Sequence, residues 1–96
     1  MKRICSYAIV TGASMGLGKS LAIELASRGR NMIIVSLKNE GLPELASKMK
    51  RTFGVDVIAW ETDLSKASCV DEFAGWVNSH YAVDVLVNNA GIGGTA

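Results

Sequence analysis

The chain has 96 residues, of which 49% are hydrophobic and 20% charged, and its formal net charge is +1. This length and composition suffice for one globular domain with a hydrophobic core, which excludes an extensively disordered chain. The near balance of charge gives no electrostatic reason to expect a nucleic acid or an anionic membrane as partner. No apolar run approaches the ~20 residues of a membrane-spanning helix, and no signal-peptide core precedes Thr11. We therefore expect a cytoplasmic protein.

The cysteines and the histidine give no sign of a metal site. Cys5 and Cys69 are far apart in the sequence and belong to no C-x-x-C motif, so we expect two reduced thiols and no bound metal. His80 lies near the end of a predicted helix, without a Ser or Cys nucleophile pattern nearby. We expect it to face solvent or to cap that helix.

The segment from Tyr7 to Ser20 organises the chain. A short apolar run is followed by three glycines within seven positions and then by a helical pattern, which predicts a strand, a tight turn and a helix. Glycines allow a positive φ and the close approach of an anion, while the start of a helix offers unpaired N–H groups and a partial positive charge. The segment therefore predicts a phosphate-binding turn.

Two phosphate-binding motifs overlap in this segment. Residues 13–20 match A-x-x-x-x-G-K-S, a looser P-loop pattern in which Lys19 would reach the β- and γ-phosphates and Ser20 would hold Mg²⁺. Gly12, Gly16 and Gly18 form G-x-x-x-G-x-G instead, a variant of the dinucleotide motif G-x-G-x-x-G. A turn without any ligand is the third interpretation. Each motif alone is weak, so the rest of the chain must decide.

Strand and helix patterns alternate along the rest of the chain, with short loops and no repeats. Gly29 and Gly54 mark the ends of the first two predicted helices, and Ser65 or Ser68 is the predicted N-cap of the third. The predicted strands cover residues 4–10, 32–35, 55–60 and 83–87.

The first predicted helix has one apolar stripe. Leu17, Leu21 and Leu25 recur at the helical spacing, with Ala22 and Ala26 beside them and Gly18 at the foot of the stripe. We predict that this stripe faces the sheet.

The alternation indicates an α/β fold, a Rossmann-type doubly wound parallel sheet with the element order βαβαβαβ. Right-handed crossovers place its strands in the order 3-2-1-4. The carboxyl ends of the strands then meet at one edge, where sheets of this kind bind ligands. Four strand-end residues are predicted to lie there, namely Gly12, Ser36, Asp63 and Asn89.

Three motifs at this edge resemble those of the short-chain dehydrogenase/reductase family. They are the glycine segment 11–18, the pair Asp63-Leu64, and the Asn-Asn-Ala-Gly sequence at 88–91. The resemblance covers residues 4–93, whereas the P-loop pattern explains only residues 13–20. It implies the NAD(P)(H)-binding portion of an oxidoreductase that interconverts alcohols with ketones or aldehydes by hydride transfer.

The resemblance also implies the cofactor-binding residues. Asp63 and Leu64 would meet the adenine, and Asn89, Ala90 and Gly91 would pass main-chain atoms beside the ribose. Asn88 is expected to tie strands together instead. The residues implied to line the pyrophosphate and the adenosine ribose are Gly12, Ser14, Met15, Gly16, Leu17 and Gly18.

The end of the second strand predicts the type of cofactor. A carboxylate there would bind the ribose diol and repel a 2′-phosphate, but the sequence reads Ser36-Leu37-Lys38, without an acid. Lys38, helped by the hydroxyls of Ser14 and Ser36, would contact the phosphate. We predict NADP(H) as the preferred cofactor, with NAD(H) as the alternative.

The catalytic Tyr-x-x-x-Lys pair of this family has no counterpart in these residues. Tyr7 and Tyr81 are followed four positions later by Thr11 and Val85. We therefore assign no catalytic residue and expect one dinucleotide-binding domain, residues 1–96, that is the amino-terminal part of a longer reductase, cut after the fourth strand.

Two other functions remain open, a stand-alone dinucleotide-binding or sensing module and a P-loop NTPase. The expected partners are the dinucleotide and, for the parent enzyme, a small carbonyl or alcohol substrate. A homo-oligomer is also expected. The apolar fourth strand would be interior in the complete fold but is an unpaired edge in residues 1–96, and such edges recruit other strands, so we expect these residues by themselves to self-associate or to be marginally folded.

Overall fold

The computed structural model describes residues 6–89. Four parallel strands form one sheet in the order β3-β2-β1-β4, which confirms the predicted fold class and strand order. No helix in this part of the chain is long and apolar enough to cross a membrane. The elements are β1 (Ser6–Thr11), α1 (Gly16–Ser27), β2 (Asn31–Ser36), α2 (Leu42–Phe53), β3 (Val57–Glu61), α3 (Ala67–His80) and β4 (Ala82–Val87).

The strand boundaries differ from the predicted ones by one or two residues. β1 extends to Thr11, and the predicted start at residues 4 and 5 lies outside the described residues. β3 begins at Val57 rather than at residue 55. The backbone N–H of Asp56, just before β3, donates to the side-chain oxygen of Asn31 at 3.0 Å. This contact joins the entry into β3 to the first residue of β2.

Each face of the sheet has its own hydrophobic core. Successive side chains of a strand point to opposite faces, and both faces of β1 and β2 are covered, so their central residues, 8–10 and 32–35, are all apolar. The face under α1 and α2 buries Ala8, Val10, Met32 and Ile34. The face under α3 buries Ile9, Ile33 and Val35 together with Phe73 and Val77.

The sheet-facing side of α1 is formed by the small residues that the sequence placed beside the leucine stripe, so the predicted stripe is wrong at Leu17 and only half-buried at Leu21 and Leu25. The buried residues of α1 are Gly18, Ala22 and Ala26, whereas Leu17 is 61% exposed. A Cβ atom on Gly18 would lie 2.1 Å from the carbonyl oxygen of Gly12. The helix therefore approaches the sheet so closely that only small side chains are accommodated along the contact, and the leucines lie to the side of it.

The predicted N-cap of α3 is also wrong. The cap position is Lys66, which makes no side-chain capping hydrogen bond. The Ser65 hydroxyl donates instead to Asp63 Oδ1 at 2.6 Å, so it is committed to the segment between β3 and α3. At the other end of α3, His80 is exposed and its Nδ1 lies 2.8 Å from the carbonyl oxygen of Trp76, which confirms its predicted solvent-facing position.

Within residues 6–89, β4 is an edge strand that pairs only with β1. Its Asp84 forms an ion pair with Arg30 and accepts a hydrogen bond from the Ser6 hydroxyl at 3.3 Å. The hydrogen bond from Arg30 holds the pKa of the Asp84 carboxyl below its ordinary value. Leu86 is 63% exposed. The sheet therefore ends in a strand that has both a fixed charge and an uncovered apolar side chain.

Candidate functional site

A cavity of about 540 Å³ lies at the carboxyl ends of the strands. Its size is in the range of roughly 300–1,000 Å³ that is usual for small-molecule sites. The turn after β1, the end of β2, the segment after β3 and the residues after β4 form its walls. The predicted site residues that line it are Gly12, Ser14, Met15, Ser36, Leu37, Asp63, Leu64 and Asn89.

The other predicted site residues lie around this cavity or beyond the described part of the chain. Gly16, Leu17 and Gly18 form the first turn of α1, directly after the lining residue Met15. Lys38 is exposed and does not line the cavity. Two predicted residues, Ala90 and Gly91, lie outside the described residues.

The residues of the P-loop pattern do not meet at this cavity. Lys19 and Ser20 are both exposed, and neither lines it. Lys19 lines a separate groove of about 410 Å³, whose walls come from α1, α2 and the residues before each helix. The cation that a P-loop would aim at the β- and γ-phosphates therefore faces another surface.

The turn after β1 is built from backbone geometry. Gly12 and Gly16 have φ values of 65° and 59°, which glycine adopts without steric cost. The N–H of Ala13 donates to the carbonyl of Val35 at 3.0 Å, which ties the turn to β2. Met15, at the N-cap of α1, makes no side-chain capping bond, so its side chain leaves the first N–H groups of the helix available to other acceptors.

Thr11 connects the end of β1 to the residues after β4, and sequence reasoning did not include it among the site residues. The Thr11 hydroxyl accepts a hydrogen bond from the backbone N–H of Asn89 at 2.8 Å. It donates one to the side-chain oxygen Oδ1 of Asn88 at 3.1 Å. The side-chain amide of Asn89 donates a hydrogen bond to the backbone carbonyl of Gly12 at 3.4 Å. The expectation that Asn88 ties strands together is confirmed. The sequence feature that could have indicated this role is the threonine directly before Gly12, the first glycine of the turn.

Asp63 lines the cavity from the segment after β3. Its Oδ1 accepts from the hydroxyl of Ser65 at 2.6 Å and from the N–H of Ser65 at 3.0 Å. These hydrogen bonds hold the pKa of the Asp63 carboxyl below its ordinary value, since they favour the charged form. The N–H of Thr62 donates to the carbonyl of Ser36 at 2.9 Å, which joins this segment to the end of β2.

Glu40 is a lining residue that the sequence did not reveal. No acid stands at residues 36–39, as predicted, but the chain turns at Asn39, whose φ is 66°, and Glu40 lines the cavity from the loop before α2. The hydroxyl of Ser14 donates to Glu40 Oε1 at 2.5 Å. The hydroxyl of Ser36 donates to the carbonyl of Leu37 at 2.9 Å.

Comparisons with known proteins agree with this geometry. The family model for short chain dehydrogenases matches residues 6–96. The chain is 38% identical over 85 residues to an 11-beta-hydroxysteroid dehydrogenase A of Sesamum indicum, covering 88% of this chain and 24% of that protein. It is also 38% identical over 93 residues to the short-chain dehydrogenase/reductase homolog YusS of Bacillus subtilis, covering 96% of this chain and 85% of that protein.

Solved structures with the same fold are also similar in sequence. L-sorbose reductase from Gluconobacter frateurii, complexed with NADPH and L-sorbose, superposes with a TM-score of 0.82 at 34% identity. That match covers 95% of this chain and 35% of the reductase. A short-chain dehydrogenase from Sphingobium yanoikuyae in complex with NADPH has a TM-score of 0.81 at 28% identity, over 88% of this chain and 33% of that one. The chain thus spans about a third of these two structures.

Replacing Gly18 with alanine tests the close contact between α1 and the turn. The new Cβ would lie 2.1 Å from the Gly12 carbonyl oxygen and 2.7 Å from the Asn89 amide nitrogen. Backbone atoms must then move, so we expect Gly18→Ala to lower the free energy of unfolding by about 1–3 kcal/mol in urea denaturation.

Gly75→Ala is the matched control for this substitution. Gly75 lies within α3, and a Cβ there would meet no atom within 4 Å. Alanine is the better helix former by about 1 kcal/mol, so the control should be at least as stable as the original chain. A Gly18→Ala variant that is equally stable would contradict the contact.

Replacing Ser65 with alanine tests the hydrogen bonds on Asp63. The loss of the hydroxyl donor removes the largest influence that lowers the pKa of the Asp63 carboxyl. We expect a carboxyl-detected NMR titration to show a higher Asp63 pKa in Ser65→Ala. Ser68→Ala, at an exposed position in the first turn of α3, should leave it unchanged. An unaltered Asp63 titration in Ser65→Ala would refute this arrangement.

Proposed function

The chain belongs to the short chain dehydrogenase family, and we propose that it is the NAD(P)(H)-binding part of an oxidoreductase that interconverts alcohols with ketones or aldehydes. The observation that carries this proposal is the cavity at the strand ends. The glycine turn, the segment at Asp63 and the residue Asn89 all line it, beside the point where the strand order reverses between β1 and β4.

The lining residues suit a dinucleotide at this place. A Cβ on Gly16 would meet no atom within 4 Å, so space remains in front of the first turn of α1 for the pyrophosphate. The ionised carboxylate of Asp63 can accept from the adenine amino group, and the main chain at Leu64 can contact the ring. When bound, the nicotinamide supplies the hydride. The residues of this chain bind and orient the dinucleotide.

The other cofactor contacts extend this assignment along the cavity. We assign Gly12, Ser14, Met15, Leu17 and Gly18 to the pyrophosphate and the adjoining ribose. The end of β2, at Ser36, Leu37 and Lys38, is assigned to the adenosine ribose. Beyond β4 the assigned residues are Asn89, Ala90 and Gly91.

NADP(H) is the proposed cofactor, with NAD(H) as the alternative. Two structures similar to this chain, the L-sorbose reductase and the Sphingobium dehydrogenase, are complexed with NADPH. Lys38 lies two residues beyond the end of β2 and is exposed, where its charge can turn toward a phosphate. The proton donor for the carbonyl group is not assigned to these residues, and we propose residues 1–96 as one dinucleotide-binding domain of the enzyme.

A stand-alone dinucleotide-binding module is the second candidate. One observation favours it, namely that the chain covers 85% of its Bacillus subtilis relative, in contrast to 24% of the sesame dehydrogenase. Binding of a dinucleotide without turnover of any carbonyl substrate distinguishes this function from that of an enzyme. The free, half-buried thiol of Cys69 is in keeping with a reducing compartment, and we propose the cytoplasm for either function.

Replacing Gly16 with valine tests the binding function. A branched side chain would fill the open space in front of α1 where the pyrophosphate is proposed to lie, so we expect Gly16→Val to lose NADPH binding. The loss is measured as the disappearance of the fluorescence enhancement of NADPH on titration with protein, while the circular dichroism spectrum keeps its α/β form.

The control for this variant must carry the same backbone strain. Gly54→Val provides it, because Gly54 has a φ of 68°, close to the 59° of Gly16, and also faces open space. Gly54 lies at the C-cap of α2, away from the cavity residues. NADPH binding should survive in Gly54→Val. Equal binding by Gly16→Val and by the original chain would remove the basis of the proposed function.

We also propose that residues 1–96 by themselves form a homo-oligomer through β4, which would be an interior strand in the longer enzyme. Its outer edge has no partner within residues 6–89 and carries the exposed Leu86, and unpaired apolar edges recruit other strands. We expect sedimentation at micromolar concentration to show a dimer or larger species, and Leu86→Lys to shift it toward the monomer. Val70→Lys, at an exposed apolar position on α3, should not. A monomeric original chain would rule out this assembly.

A further inference from the structure

The face of the sheet under α3 carries a line of aromatic rings that the proposed dinucleotide contacts do not use. The indole rings of Trp60 and Trp76 are stacked, with their centroids 4.3 Å apart. The ring of Tyr81 lies 5.2 Å from that of Trp76, and the ring of Tyr7 lies 4.7 Å from that of Tyr81. Rings at these separations are in contact. The line therefore joins the carboxyl end of β3 to the amino end of β1.

This line of rings ends at a hydrogen bond to a carboxylate. The hydroxyl of Tyr7 donates to Oδ2 of Asp56, the residue just before β3. The other carboxylate oxygen of Asp56 lies 3.9 Å from Lys50 Nζ, so the ion pair and the phenol use different oxygens. A phenol gives up an electron readily only when its proton leaves at the same time, because the protonated radical is a strong acid. Asp56 provides the acceptor for that proton.

We propose that Trp60, Trp76, Tyr81 and Tyr7 form a one-electron relay, which moves an oxidising equivalent from the tryptophan stack to Tyr7. The oxidant is a radical of the peroxyl class in solution, and the reductant is a soluble thiolate. Electron transfer slows steeply with distance, so a series of rings in contact favours this route. The relay is separate from hydride transfer and does not depend on the proposed function.

The oxidation step balances in electrons and protons. The peroxyl radical takes one electron from the tryptophan stack and one proton from solvent, and becomes a hydroperoxide. An electron from Tyr7 then refills the stack, while the phenolic proton passes to Asp56 Oδ2 along the existing hydrogen bond. The O–H bond of Tyr7 breaks and an O–H bond on Asp56 forms. A neutral phenoxyl radical then lies beside a neutral carboxylic acid.

The thiolate returns the relay to its starting state. It gives one electron to the phenoxyl radical of Tyr7, and the proton on Asp56 moves back to the phenol oxygen. Two of the thiyl radicals that result combine into a disulfide. Tyr7 is half-buried rather than enclosed, so an electron donor in solution can approach it.

Tyr81 acts as a bridge rather than as the place where the radical rests. Its backbone N–H donates to the carbonyl of Val77 at 2.8 Å, but within residues 6–89 no group accepts the proton of its hydroxyl. The electron therefore crosses the ring of Tyr81 without the loss of a proton there. This role requires the aromatic ring and not the hydroxyl.

The location of the tryptophan stack indicates what the relay would protect. Trp60 lies two residues before Thr62, which lines the strand-end cavity, and Leu64 of the same wall packs in one hydrophobic cluster with Trp60. Met15 also lines this cavity and is 63% exposed. Oxidation converts methionine into the polar sulfoxide. The relay would carry an oxidising equivalent away from this end of the sheet, toward Tyr7 at the opposite end.

The experiment starts the relay with light that tryptophan absorbs and tyrosine does not. The chain has two tryptophans, and both belong to the stack. Excitation at the red edge of the indole band, with a cobalt(III) ammine as irreversible electron acceptor, therefore removes an electron from the stack alone. We expect the EPR spectrum of a tyrosyl radical to replace that of a tryptophanyl radical. Tyr7→Phe should abolish the tyrosyl signal and leave the tryptophanyl radical.

Asp56→Asn tests the proton acceptor. Asparagine keeps the shape and an oxygen for the hydrogen bond of Tyr7, but its amide is a far weaker base than a carboxylate, so we expect most of the tyrosyl signal to be lost. Asp71→Asn is the matched control, because Asp71 is exposed on α3 and its loss changes the net charge equally. The signal of this control should equal that of the original chain.

A pair of substitutions at Tyr81 tests the route. Tyr81→Phe keeps the bridging ring and removes the hydroxyl, so the tyrosyl radical should still form at Tyr7. Tyr81→Leu removes the ring, and we expect the tyrosyl signal to be lost while the tryptophanyl radical persists. Circular dichroism of each variant, compared with that of the original chain, shows that the fold is kept.

Each outcome decides one step of the relay. If the folded original chain forms no tyrosyl radical, or forms it equally in Tyr7→Phe, the relay is overturned. If Asp56→Asn yields as much tyrosyl radical as Asp71→Asn, the part assigned to the carboxylate is overturned. If Tyr81→Leu yields as much as Tyr81→Phe, the route through this ring is overturned. The proposed function stands in all these cases, because NADPH binding measures it separately.

Discussion

The close approach of α1 to the end of β1 is the constraint on which the site depends. A Cβ on Gly18 would collide with the carbonyl oxygen of Gly12 at 2.1 Å, so the helix can begin directly against the strand only because that side chain is absent. The contact sets the rotation of α1 and places Ala22 and Ala26 on the sheet. It also aims the first turn of the helix, with its unpaired N–H groups, along the edge where the strands end.

Hydrogen bonds then join the neighbouring strand ends into one surface. Thr11 holds the residues after β4, the N–H of Ala13 reaches β2, and the N–H of Thr62 joins the segment after β3 to Ser36. None of these contacts requires a particular ligand, and all of them use backbone groups. The cavity is therefore formed by the same bonds that hold the sheet edge together. This is the physical reason that one fold can present a ready-made site while loop residues vary.

Sequence reasoning succeeded where the determining forces are local or topological. Alternating apolar patterns and right-handed crossovers leave one strand order, and the strand ends must then meet at one edge. It put Ala22 and Ala26 beside the sheet-facing stripe of α1 rather than at its centre, because hydrophobicity favours Leu17, Leu21 and Leu25 while the observed side is selected by the tight contact at Gly18. The predicted N-cap of α3 was wrong for a related reason. The Ser65 hydroxyl donates its hydrogen bond to Asp63, and residue spacing alone cannot show that this acceptor competes with the helix.

Glu40 could not be predicted because its position depends on one backbone conformation. An acid four residues beyond the end of β2 ordinarily lies in a solvated loop, but the left-handed φ of Asn39 accompanies a turn that puts it on the cavity wall. Asparagine adopts this conformation more readily than most residues. One part of the cavity wall is thus fixed by glycines and strand ends, whereas the part at Glu40 depends on a short loop. The loop part of the wall can therefore change through a single turn residue while the sheet and the glycine turn stay as they are.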